Sequence, residues 1–311
     1  MDCLQVQEEF MICASLDIGT NTLLLLIAEV KDGNIVNVLT DEHQIARLGE
    51  GLDKTGIISD NAVLRATRIL HDYKNIMAEH KVELVRASAT SAMRDANNSS
   101  EVRQLFETIL NSPIEIIAGI DEARLSYLGT IEEFNDDSDI VLDIGGGSTE
   151  IIVGKNGSIS YCKSLQIGAV RITESFFPDF KSKSSNLETA KEHINNFFRD
   201  LESIKTNGNL IAVAGTPTTI AAIDLKLPQF NAHLIHNHRI ELNRLEEIVD
   251  IFVSKTSKEL VEDYNVHPNR ADVILGGALI LLEFLKHTGK SSLLVSCKGL
   301  RYGLILDMFK K

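Results

Sequence analysis

Two stretches of the chain share one alternation of apolar and polar positions. Residues 12–30 (ICASLDIGTNTLLLLIAEV) and 139–154 (DIVLDIGGGSTEIIVG) each run apolar, then Asp-Ile-Gly, then a small polar turn, then apolar again. Asp17 of the first corresponds to Asp143 of the second. Short apolar runs bounded by turn residues predict buried strands. Each pair continues through a hairpin signal into a third strand: Asp-Gly in KDGNIVNVLTDEH, Asn-Gly in KNGSISYCKSLQ. Beyond the first triplet, helical periodicity over 59–80, 99–110 and 121–134 alternates with strands in VELVRASAT and PIEIIAG. Beyond the second, helices are expected near 187–204, 216–223, 241–264, 271–286 and 299–309, with strands in NLIAVAG and SSLLVSC. The pattern βββαβαβα thus occurs twice, with extra helices in the second half. It predicts an α/β protein of two domains, each a mixed five-stranded sheet flanked by helices, with the two turns facing across a cleft. The least helical linker, NDDSD at 135–139, puts the boundary between 136 and 137, giving domains 1–136 and 137–311. The last helix is expected to pack back on the first domain.

Composition limits the partners. The 311 residues carry a formal net charge of −13, with 44% hydrophobic and 24% charged residues. This suits a soluble globular chain with ample core. It disfavours a general nucleic-acid binder, which needs a basic face to displace counterions. A small anionic ligand stays compatible, because local arginines, backbone N–H groups or a metal offset the global sign. No stretch is long and apolar enough to span a bilayer; LLLLIAEV at Leu23–Val30 is short and holds a Glu. MDCLQVQEEF has the wrong charge for a secretory signal. The four cysteines lack CxxC spacing, so reduced thiols in a cytoplasm are expected, without disulfides, zinc or membrane contact. The NSS at Asn98, without an export signal, carries no weight.

The glycines of the repeated turn need a reason, since glycine weakens a strand. A tight loop is one. The other is an anion nest: unpaired N–H groups approached closely by phosphate. Hydroxyls of Thr20, Thr22, Ser148 and Thr149 add donors. Asp17, Asp143 and Glu150 supply hard oxygens suited to Mg²⁺ or its water shell. Duplication of the turn between buried strands favours a phosphoryl-transfer site.

A resemblance extends that reading. The paired strand–turn–strand units resemble the actin-like (ribonuclease H-like) ATPase superfamily. DIGTNT at Asp17, ARLGEGLDKTGIIS at Ala46, ATSAMRDANN at Ala89, GIDEARLSYLG at Gly119, DIGGGSTE at Asp143, SLQIGAVRITESF at Ser164, AGTPTTIAA at Ala214 and NRADVILGGALIL at Asn269 follow in order. These segments resemble the exopolyphosphatase/guanosine pentaphosphate phosphatase (Ppx/GppA) family, in its short two-domain form. The resemblance implies two actin-like domains and a Mg²⁺-dependent hydrolase, cytoplasmic and homodimeric. It would remove the terminal phosphate from inorganic polyphosphate or the 5′ γ-phosphate from guanosine pentaphosphate. It implies that Glu122 orients or deprotonates the attacking water. Asp143 and Glu150 would hold Mg²⁺, and Glu150 would also help position the water. Gly145, Gly146, Gly147 and Ser148 would cradle phosphate, as would Thr20, Asn21 and Thr22 from the other domain. Arg94 and Arg270 match phosphate-contacting arginines.

The chain departs from the family at Leu24, where Arg or His is usual, and at Asp121, which replaces the first Glu of a pair. The alternatives are a guanosine tetra- or pentaphosphate sensor with little turnover, and an ATP-driven filament or chaperone subunit. Arg47 and Arg171 stay open between structural and functional roles. His236 and His238 have the spacing of a metal pair but no third ligand nearby. Gly276 and Gly277 suit either close packing or ligand approach, and TESFFPDFKSKSSN (173–186) reads as a polar loop.

Overall fold

The computed structural model describes residues 10–131, 139–199, 201, 204 and 206–310. The expected domain boundary, at 136/137, lies outside the described residues. The first half runs β1 (Met11–Ile18), β2 (Thr22–Lys31), β3 (Asn34–Ile45), α1 (Leu52–Thr55), α2 (Asp60–Glu79), β4 (Leu84–Ala89), α3 (Ser91–Asp95), α4 (Ser99–Leu110), β5 (Ile114–Ile116) and α5 (Gly119–Ile131). The second runs β6 (Asp139–Ile144), β7 (Thr149–Lys155), β8 (Ser158–Leu165), α6 (Ala169–Phe176), α7 (Phe180–Ser185), α8 (Leu187–Arg199), β9 (Leu210–Val213), α9 (Gly215–Asp224) and α10 (Ala232–Ile235). It closes with β10 (Arg239–Glu241), α11 (Leu242–Ser254), α12 (Ser257–Tyr264), α13 (Ile274–Thr288), β11 (Ser292–Val295) and α14 (Leu300–Asp307).

The duplication is structural. One sheet has the order β3-β2-β1-β4-β5, the other β8-β7-β6-β9-β11-β10. In each, three antiparallel strands lead into a parallel partner, β1 with β4 and β6 with β9. Both hairpins turn as expected, with Asp32-Gly33 and Asn156-Gly157 at positive φ, which suits these residue types. The second sheet holds six strands rather than five. The added strand, β10, has only three residues, antiparallel to β11; such a run is too short to show a period of two. The segment expected as a polar loop is instead the end of α6 followed by α7. Asp179 and Ser182 form a capping box there, and the Lys183 ammonium is buried against the carbonyls of Phe252 and Lys255. Lysine in a polar run gave no sign of burial.

Each lobe has its own apolar core. The last helix of each half covers the sheet of the other. Ala123, Tyr127 and Ile131 of α5 pack on Val141, Ile152, Ile211 and Val213. Tyr302 and Ile305 of α14 pack on Cys13, Leu26, Ala28 and Val30, so the last helix does return to the first sheet. The two helices cross backbone to backbone. A Cβ on Gly303 would overlap the Leu125 carbonyl, and one on Gly129 the Gly299 carbonyl. Gly276 serves close packing: a Cβ there would lie 2.5 Å from the Ala169 carbonyl oxygen. Among the described residues no helix is long and apolar enough to cross a membrane.

Candidate active site

Strand pairing places the two turns at corresponding ends of β1–β2 and β6–β7. Gly19 donates to the Thr22 carbonyl at 3.0 Å, and Gly145 to the Ser148 carbonyl at the same distance. The first turn is braced by the segment after β3. The Asn21 carbonyl accepts from Ala46 and Arg47, and the Thr20 carbonyl accepts from Gly49 at 2.8 Å. The second turn caps α6, with the Gly145 and Gly146 carbonyls accepting from Ala169 and Val170 at 2.9 Å. Carbonyls are thus consumed, while the N–H groups of Gly146, Gly147 and Ser148 meet no protein acceptor among the described residues. That is the asymmetry an anion nest needs.

The turns meet across the lobes. A Cβ on Gly146 would stand 3.0 Å from Thr20 Cβ, and one on Gly147 would overlap Ser91 Oγ. The glycines therefore serve lobe approach as well as open N–H groups. A cavity of about 510 Å³ opens beside them, lined by Thr20, Asn21, Thr22, Gly145, Gly146, Gly147, Ser148, Asp143, Glu122 and Arg270 among the expected residues. Glu150 and Arg94 stand behind this lining. Glu150 faces Asp143 across the β6–β7 ladder and is fully buried, with Ser164 Oγ donating to Oε1 at 2.7 Å. Arg94 Nη1 donates to Glu122 Oε2 at 2.7 Å and to the Ile117 carbonyl at 2.9 Å, and Nη2 reaches Ser148 Oγ at 3.5 Å. It couples the acidic helix start to the second turn.

Four acids converge here, and their charges resist one another. Burial pushes the Glu122 carboxyl up to about 7, with Arg94 opposing and Asp143 adding to the rise. Asp17 is held well above the usual range by burial and by Glu122 and Asp143, against the pull of Arg301. Burial also raises Asp143, although Ser126 donates to its Oδ2 at 2.5 Å and Arg301 lowers it. Glu150 is raised well above the usual range by burial, then by Glu122 and Asp143, with the Ser164 and Ser148 hydroxyls opposing. Asp17 Oδ1 and Glu150 Oε2 are buried without a donor.

The cationic side comes from Arg270. It is half-buried at the cleft, and Nη1 donates to Thr219 Oγ1 at 3.0 Å and the Gly215 carbonyl at 3.2 Å. Burial lowers its pKa, and no carboxylate pairs with it among the described residues. The start of α9, with Gly215, Thr216 and Thr218 on the cleft, adds N-terminal N–H groups. The sequence pattern assigns no role to individual residues of this segment. It also missed Asp41, His43 and Arg301, which line the opposite wall. Alternation along β3 puts Asp41 and His43 on one face and was the available signal.

The open candidates resolve into ties. Arg47 pairs with Asp272 across the lobes. Arg171 Nε donates to the Gly147 carbonyl at 2.6 Å, and its other nitrogens pair with Asp53 and Asp95. His236 Nδ1 accepts from the Cys297 N–H at 3.2 Å, whereas His238 Nε2 bonds Asp224 at 2.7 Å. Among the described residues no group of three or more His, Cys, Asp or Glu could hold a metal ion alone.

A model of the Ppx/GppA phosphatase family matches residues 26–311. Exopolyphosphatase 2 of Mycobacterium tuberculosis is 33% identical over 316 residues, covering 95% of this chain and 98% of that protein. A bifunctional 3-dehydroquinate synthase/phosphatase of Fusobacterium nucleatum is 33% identical over 308 residues, covering 94% of this chain and 46% of that protein. The chain thus spans about half the length of that relative. The crystal structure of the Aquifex aeolicus member of the Ppx/GppA family superposes with a TM-score of 0.81 at 29% identity, covering 96% of this chain and 98% of that one. The two-lobed architecture read from the repeated turns is the actin-like fold of these proteins. The chain belongs to the Ppx/GppA phosphatase family, hydrolases of phosphoanhydride bonds.

Proposed function

We propose that this protein is a Mg²⁺-dependent phosphohydrolase that releases the terminal phosphate of inorganic polyphosphate, of guanosine pentaphosphate, or of both. The observation that carries this is Glu122. Its Oε2 is held by Arg94, its Oε1 meets no donor among the described residues, and the carboxyl lines the cleft facing an N–H-rich glycine turn. A carboxyl raised to about 7 can take a proton from water at neutral pH. In the reaction, a water oxygen bonds to the terminal phosphorus as the bridging P–O bond breaks. The water proton passes to Glu122 Oε1, and the shortened chain leaves with the bridging oxygen. Arg270 and the N–H groups of Gly146, Gly147 and Ser148 bind the phosphoryl oxygens.

The residues suit a magnesium ion in part. Two buried carboxylate oxygens without donors, in a group of mutually repelling acids, are what a cation would relieve. Mg²⁺ commonly takes one or two carboxylates and completes its shell with water and phosphate. Asp143 and Asp17 line the cleft and would hold it, with Glu150 behind them. When bound, the ion would neutralise charge on the phosphoryl oxygens. The domain division at 136/137, cytoplasmic location and a homodimer belong to the same proposal.

The test is phosphate release by purified protein from long-chain polyphosphate and from guanosine pentaphosphate, each with Mg²⁺ and with EDTA. Release in Mg²⁺ alone supports the reading and ranks the substrates. No release from either, with guanosine pentaphosphate still bound, would replace it with the sensor reading. Light scattering at several concentrations checks the dimer.

A further inference from the structure

The first-lobe wall of the cleft holds a cation that the reaction above does not use. Arg301, in the first turn of α14, is only 6% exposed and lines the cavity. Asp41 of β3 grips it twice, Nε to Oδ1 at 2.8 Å and Nη2 to Oδ2 at 2.9 Å. Nη2 also donates to the Cys297 carbonyl at 2.7 Å. Nη1 meets no protein acceptor among the described residues. A guanidinium donates in one plane, so the grip of Asp41 fixes that plane and leaves one edge for a ligand.

His43 stands beside it. Its Nε2 bonds Asp41 Oδ1 at 3.0 Å, and its ring lies 6.0 Å from that of Phe230 in the other lobe. Asp41 is thereby spent: Oδ1 meets Arg301 and His43, and Oδ2 accepts from Arg301 and, at 3.4 Å, from Tyr302. The carboxylate acts as a clamp, so the face it supports is one for anions. The β2–β3 register sets Ile45, His43 and Asp41 opposite Thr22, Leu24 and Leu26. These positions lead away from the first glycine turn. At roughly 3.4 Å per residue, His43 lies about 7 Å and Asp41 about 14 Å along the strand from that turn. Leu24 is therefore the cross-strand neighbour of His43.

We propose that Arg301, clamped by Asp41 and flanked by His43, forms an anion subsite for a phosphate of the substrate beyond the one released. The subsite rests on the reading of the cleft as a phosphoanhydride site. Its ligand is the next phosphates of a chain, whether of a polymer or of a nucleotide.

The experiment is calorimetry in Mg²⁺, on the Glu122→Gln background to suppress turnover, with orthophosphate and tripolyphosphate as probes. The expected result is a tripolyphosphate Kd raised about tenfold by Arg301→Lys and several-fold by His43→Ala, of the order of one charge-assisted hydrogen bond. Orthophosphate affinity should stay within about twofold, since one phosphate can fill the glycine turn alone. The His43 side chain is 34% exposed, so its variant tests the subsite even if Arg301→Lys fails to fold. Equal tripolyphosphate affinity in parent and His43→Ala overturns the subsite and leaves the cleft reading standing. Equal weakening of both probes also overturns it, since that marks a structural role. No tripolyphosphate binding by the parent overturns both.

Discussion

Glu122 sits between two influences, burial that favours its neutral form and an Arg94 guanidinium at 2.7 Å that favours its charge. Burial prevails, leaving a base whose carboxyl titrates at about 7 instead of 4.5. The rate of phosphate release, as kcat/KM against pH, should therefore fall on the acid side with a midpoint near 7; a limb near 4.5 would deny Glu122 that role. Stability follows the opposite sense. Between these two values the folded state binds more protons than the unfolded one, so metal-free protein should lose stability as pH rises from about 5 to 7. Urea midpoints across that range check this, and Glu122→Gln should flatten the slope. Asp41 differs, because its two-point contact with the Arg301 guanidinium overcomes burial and holds its carboxyl far below the usual range. Asp41→Ala leaves that guanidinium buried and unpaired, at a cost of about 3–5 kcal/mol in equilibrium unfolding. The turns were legible because their chemistry is local in sequence, whereas Glu122 was singled out only through the family resemblance of its segment. The Asp41–Arg301 pair was not, because its members stand 260 positions apart and only the packing of α14 on the first sheet unites them.

At the scale of elements, the crossing of α5 and α14 ties the lobes together, and two glycines permit it. Gly303→Ala should destabilise the protein by about 1–3 kcal/mol or more through overpacking, measured by urea denaturation. A surface helix site such as Lys258, four-fifths exposed, should tolerate alanine. The βββαβαβα repeat was readable because long apolar runs and Asp-Gly or Asn-Gly turns fix strands and hairpins without outside help. Ser59 likewise marked the start of α2, accepting from the Ala62 N–H. The short elements α3, α7, α10 and β10 were not readable. At three to six residues they complete fewer than two periods, and tertiary contacts such as the buried Lys183 decide them.

At the scale of the molecule, polar ties join the lobes around the cleft, among them Arg47 to Asp272, Arg171 to Asp53 and Asp95, and Glu174 to the Gly51 N–H at 2.9 Å. Arg171 also holds the Gly147 carbonyl, so closure and the shape of the second glycine turn share one side chain. Part-exposed pairs contribute about 1 kcal/mol or less each. Arg171→Ala should accordingly raise KM by roughly tenfold and increase the radius of gyration of the ligand-free protein in small-angle scattering. An unchanged KM would show that closure does not depend on these ties. The cleft they enclose sets Glu122 of one lobe beside the glycine turn of the other. The central claim is that Glu122 activates water there. Its most direct test is phosphate release from long-chain polyphosphate in Mg²⁺ by Glu122→Gln beside the unaltered protein. The account predicts a loss of about 10²-fold or more in kcat, with tripolyphosphate still bound. Release by Glu122→Gln at the unaltered rate would contradict it.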